Sequence, residues 1–112
     1  MGYLTNYQVY ATGFKDPEEV EFFEFKLKKE SDYHFDAARG RGVLEYAGSL
    51  GDAKWYDYDE NLTKLSKAFP HITINIEGKG EDDEDHWRAR YRNGESESVR
   101  AVIMFPPFKE LT

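Results

Sequence analysis

The sequence predicts a single α+β domain spanning residues 1–112, and three observations carry that expectation. Several stretches alternate apolar and polar residues with the period of two that marks half-buried strands, Tyr3 to Thr12 being the clearest. Two other stretches open with helix-start chemistry, Asp16-Pro17-Glu18-Glu19 and Asp57-Tyr58-Asp59-Glu60. The chain has 112 residues, 16% of them aromatic, which is enough to build a core without disulfides or a structural metal.

Taken in order, Tyr7, Val9 and Ala11 fall on one face of the first stretch and Asn6, Gln8 and Tyr10 on the other, until Gly13 breaks the pattern. Asp16 can then cap a helix, Pro17 suits its first position, and the acids that follow match the positive end of the helix dipole. The start signals predict a helix from about Pro17 to Glu30. Val20, Phe23 and Leu27 form its stripe, and Phe22 and Phe25 fall opposite, where they need cover from a neighbouring loop or a partner chain. A strand over 22–28, with Phe23, Phe25 and Leu27 on one face, is the competing reading. Tyr33 to Phe35 and Gly42 to Leu50 read as extended, and Ala53 to Tyr56 as a short extended piece. A second helix starts with Asp57 as cap, carries Leu62, Leu65 and Phe69 at helical spacing, and ends at Pro70. His71 to Glu77 is a strand with its isoleucines inward, 78–84 a loop, and His86 to Arg92 the returning strand. Asn93-Gly94 is a strong hairpin signal, and Val99 to Phe105 forms the last strand of an antiparallel meander.

Charge and composition narrow the function classes. The formal net charge is −7, from 22 acidic and 15 basic residues, so phosphate backbones and anionic membranes are repelled at long range. The absence of cysteine excludes thiol chemistry and cysteine-ligated metal, and fits a reducing cytoplasm. No apolar run approaches the roughly 20 residues that span a bilayer. Met1-Gly2 opens like a myristoylation site, but Asn6 stands where Ser or Thr is needed. His34, His71 and His86 lack metal-ligand spacing, and no nucleophile elbow or phosphate-binding loop occurs. The expectation is a non-enzymatic cytoplasmic protein with no cofactor, no catalytic residues and no metal site.

Three groups of residues invite a partner. The run Glu81-Asp82-Asp83-Glu84-Asp85 reads either as a solvated hairpin tip or as a surface docking on a basic partner, where the repulsion among its carboxylates would be relieved. Tyr56, Asp57, Tyr58 and Asp59 combine aromatic and acidic character at the mouth of the second helix, a mixture found at protein-binding surfaces. Arg88, Arg90 and Arg92 alternate with Trp87, Ala89 and Tyr91. With Tyr10, Tyr46 and Arg100 on the same face they would form a stacking platform for single-stranded nucleic acid, and otherwise an exposed face whose arginines pair with local acids. Pairing Ile76 with Trp87 is the expected register of that hairpin. Phe22 and Phe25, or Val102 and Met104 on the less buried side of the last strand, are candidates for a homodimer seam.

The segments Asn6-Tyr7-Gln8-Val9-Tyr10-Ala11-Thr12-Gly13, Lys54-Trp55, Leu65-Ser66-Lys67 through Phe69-Pro70, and Trp87 through Asn93-Gly94 resemble small phage- and plasmid-borne proteins with a YubB-type ferredoxin-like domain. The resemblance implies a ferredoxin-like plait: a mostly antiparallel sheet of four to five strands with two helices on one face. It also implies a mobile-element origin, and it carries over no catalytic residues. The first function expected is therefore a phage-type accessory protein that binds and inhibits or redirects a host protein with a basic surface, such as a nucleic-acid-binding or defence factor, by an acidic, DNA-mimicking surface. The alternative is a nucleic-acid-binding module using strand 86–92.

Overall fold

The computed structural model describes residues 4–37, 44–82 and 85–102. Its elements in chain order are β1 (Thr5–Thr12), α1 (Pro17–Ser31), β2 (Asp36–Ala37), β3 (Glu45–Ala53), α2 (Tyr58–Ala68), β4 (Thr73–Gly80), β5 (His86–Arg92) and β6 (Glu95–Arg100). The strands form one six-stranded sheet in the order β2-β3-β1-β4-β5-β6, with every pairing antiparallel. The count exceeds the expected four to five because the β4–β5–β6 meander widens the sheet beyond β4. The order β2-β3-β1-β4, with helices after β1 and β3, is compatible with a plait-like fold.

Local chemistry explains the helices. Asp16 is extended (φ −158°) and its carboxylate accepts the Glu19 amide at 2.8 Å, satisfying one of the donors a helix start leaves open. Asp32, in the left-handed region at φ 62°, closes α1 by donating to the Lys28 carbonyl. This settles residues 22–28 as helix: Phe23 and Leu27 are buried and Phe22 and Phe25 exposed. Helix α2 begins at Asp57, whose side chain makes no capping hydrogen bond, and packs Leu62, Leu65 and Ser66 inward. The helix residues share one core with the inward face of the sheet, Tyr7, Val9 and Ala11 of β1, Ile74 and Ile76 of β4, and Ala89 and Tyr91 of β5. Both helices thus cover one face of the sheet, and among the described residues the other face is uncovered.

Several sequence expectations change. Gly78 and Gly80 belong to β4, and the pairing is Ile76 with Ala89 and Gly78 with Trp87, two residues away from the expected register. The reason is steric. A Cβ on Gly78 would overlap the Trp87 indole, so the ring can lie across position 78 only because that residue is glycine. The shift by two preserves which residues share a face. The last strand runs from Glu95 to Arg100 rather than from Val99 to Phe105; Val102 lies beyond its end, and Met104 lies outside the described residues. The extended piece at Ala53 is the end of β3. The Asn93-Gly94 expectation holds: both residues have positive φ, 48° and 81°, as a tight two-residue hairpin of this hand requires.

Candidate functional site

The sheet register gathers one end of the molecule. Thr5, at the start of β1, is opposite Ala53 of β3 and Gly80 of β4, so the ends of those two strands flank it at one end of the sheet. The β3–α2 connection and the β4–β5 loop both emerge there. Aromatic packing fixes the connection against the hairpin. The Tyr58 ring stacks on Trp87 with centroids 4.6 Å apart and an interplanar angle of 22°, and the Tyr7 ring meets Trp55 and Trp87 edge-on. Trp55 is buried, its indole N–H donating to Asn61 at 2.7 Å, while its carbonyl accepts the Tyr7 hydroxyl at 3.2 Å. Two acidic segments that are 22 or more residues apart in sequence therefore share one surface.

The individual roles within that surface differ. Tyr56 is 65% exposed, and Asp57, Glu81 and Asp82 are also exposed. Tyr58 is instead half-buried in its stack, and its phenol is pushed up by burial first and then by the Asp59 carboxylate. Asp59 accepts the Tyr91 hydroxyl at 2.7 Å, which ties α2 to β5. Asp85 is structural as well: its carbonyl accepts the Gly80 amide, its amide donates to Asp82, and its carboxylate pairs with Arg100 at 3.1 Å. Asp83 and Glu84 lie outside the described residues. Sequence reasoning missed Asp52 and Glu60, which join the same end. Glu60 sits in the first turn of α2, and Asp52 donates its amide to Asn6, two strands away from the hairpin. No local signal marks Asp52, because its position depends on β3 continuing to Ala53. Two of the acids at this end have cation partners: Glu60 lies 3.5 Å from Lys64 and Asp85 3.1 Å from Arg100.

The arginine row lies on the uncovered face, where it borders a shallow groove of about 550 Å³ lined by Gln8, Tyr10, Asn75, Glu77, Arg88 and Arg90, with Glu97 and Val99 at its far side. The strand pairing sets acids beside each arginine: Arg88 opposite Glu77, Arg90 opposite Glu97 and Arg92 opposite Glu95. Arg88 Nε is 3.5 Å from the Glu77 carboxylate, which His86 also approaches at 3.4 Å, and Arg90 donates to Asn75 at 3.2 Å. Tyr10, 37% exposed, is on this face as expected. Tyr46 is buried on the other face, and Arg100, opposite Trp87, projects to the helix side, so the platform loses two of its expected members.

Of the proposed dimer residues, Phe22 and Phe25 are 52% and 59% exposed on α1, and Val102 is exposed beyond β6. Among the described residues, no group of three or more His, Asp or Glu side chains is placed to hold a metal ion, and no helix is long and apolar enough to cross a membrane. No protein-family model, curated protein or solved structure matches the chain.

Proposed function

We propose that the chain is a non-catalytic binding protein that engages a host protein through its acidic end and thereby inhibits or redirects it. The carrying observation is that Tyr56-Asp57 and Glu81-Asp82 are held on one surface by the Tyr58–Trp87 stack. An exposed aromatic among exposed carboxylates combines apolar anchorage with long-range attraction for a basic surface. The sheet order supports a ferredoxin-like plait widened by two strands, and with the sequence resemblance it favours a phage- or plasmid-borne accessory role in a host cytoplasm. A nucleic-acid-binding protein or a defence factor is the class of host target that an acidic, DNA-like surface suits.

The test is capture from host extract by the wild-type chain and by a Tyr56→Ser/Glu81→Gln/Asp82→Asn variant, with bound proteins identified by mass spectrometry. A basic protein retained by the wild type, released as salt rises and lost by the variant, supports the proposal. Identical capture by both rejects it. Nucleic-acid binding by strand 86–92 is the second reading, favoured by the groove beside Tyr10 and weakened by the acids that flank each arginine. Binding of single-stranded oligonucleotides that disappears in Arg88→Ala/Arg90→Ala would replace the first reading with the second.

A further inference from the structure

The outward face of α1 carries an unspent apolar feature. On the helix, Phe23, Leu27 and Ser31 point to the core. At about 100° per residue, the line directly opposite runs Glu18, Phe22, Phe25, Lys29, with spacings of four, three and four. This is the spacing at which one helix presents a seam to another. Phe22 and Phe25, at 52% and 59% exposure, are the centre of that line. Phe22 touches Phe69 edge-on, and the Lys26 ammonium lies 5.7 Å from its ring centroid, yet half of its surface still meets water.

The charges on this face are ordered about the midpoint between the two phenylalanines. Reversing the helix about that point exchanges Glu18 with Lys29 and Glu21 with Lys26. Acids in the first turn and bases in the last also answer the helix dipole, so that order alone names no partner. The dipole gives no reason for two phenylalanines on the solvent line between them. Glu18, Glu21 and Lys29 make no ion pair within the chain among the described residues.

From these observations we infer that α1 is a self-association surface: two copies of the chain pair antiparallel along α1, each Phe22 packing on the partner's Phe25 and each Glu18 meeting the partner's Lys29. The arrangement is two-fold symmetric, so every contact is made twice. It lies on a different surface from the acidic end, and neither proposal depends on the other.

The test needs no other partner: the mass of the purified chain is measured by light scattering and by analytical ultracentrifugation, from about 1 μM to about 1 mM. The expected result is a concentration-dependent dimer. Phe25→Ser abolishes it, and Lys29→Glu weakens it about tenfold by turning two attractions into two repulsions. Glu18→Lys/Lys29→Glu in one chain restores it, as does mixing the Glu18→Lys chain with the Lys29→Glu chain. All of these side chains are exposed, and an unchanged circular dichroism spectrum verifies the fold of each variant. A single-chain mass across the range overturns the inference, as does a dimer indifferent to Phe25→Ser. A dimer that needs Phe25 but ignores the charge swaps overturns the antiparallel pairing.

Discussion

Two tyrosines in the core make opposite contributions at the scale of single atoms. The Tyr91 hydroxyl donates to Asp59 at 2.7 Å, whereas the Tyr46 hydroxyl is buried with no hydrogen-bond partner among the described residues. Burial pushes both phenols far above the ordinary tyrosine range. Removing the Tyr91 hydroxyl deletes a hydrogen bond to a charged acceptor, so Tyr91→Phe should cost about 1–2 kcal/mol in urea denaturation. Tyr46→Phe removes a buried polar atom that has no partner, so its stability should be unchanged or raised by up to about 1 kcal/mol. A loss on Tyr46→Phe as large as that on Tyr91→Phe would contradict this contrast.

Glu19 carries a pH dependence at the same scale. Burial alone would raise its pKa, but the His71 imidazole N–H at 2.7 Å, the Lys15 amide at 3.0 Å and the charges of both side chains outweigh it, so the carboxyl sits below its ordinary range. A carboxyl lowered in the folded state adds stability above its unfolded pKa, near 4.3, and that increment is lost as pH falls through the lower folded value. Denaturation of wild type and Glu19→Gln should therefore differ at neutral pH and converge in acid. A difference that grows toward low pH would contradict the assignment.

At the scale of elements, what was legible followed from local chemistry. Helix α1 could be read because Asp16, Pro17 and the following acids act within one turn, and the structure extends it only to Ser31. The β5–β6 turn could be read because Asn93 and Gly94 accept positive φ without help from elsewhere. The β4–β5 register could not, because it rests on a contact across strands: Gly78 and Gly80 looked like loop, yet Gly78 is the flat site that accepts the Trp87 ring. A glycine facing a tryptophan on the next strand is a recognised pairing, and weighing it would have recovered the register. Gly78→Ala should cost about 2–3 kcal/mol by forcing the indole aside, and should weaken the Tyr58–Trp87 stack with it. Chemical denaturation and tryptophan fluorescence check both effects together; an unchanged midpoint would mean the ring does not lie on Gly78.

Over the whole molecule, the fold converts a charge excess spread through the sequence into surfaces with separate characters. The acids of the β3–α2 connection and the β4–β5 hairpin meet at one end, while the arginines are interleaved with acids on the open sheet face. The sequence disclosed both acidic segments as candidates, but their joining depends on the Tyr7–Trp55–Tyr58–Trp87 cluster, which brings together residues from three elements and the β3–α2 connection. Within the same cluster Tyr58 is half-buried in its stack, while exposed Asp59 also accepts the Tyr91 hydroxyl. The sixth strand was shortened and shifted because its alternation, with all six residues exposed, carries no apolar face for a sequence pattern to detect.

The most direct test of the acidic end as a binding surface is side-by-side capture from host extract by wild type and by Tyr56→Ser/Glu81→Gln/Asp82→Asn, quantified by mass spectrometry. The account predicts at least one basic protein enriched about tenfold or more on wild type over the variant, an enrichment that falls as salt screens the carboxylates. Equal recovery of every bound protein by the two chains would contradict it.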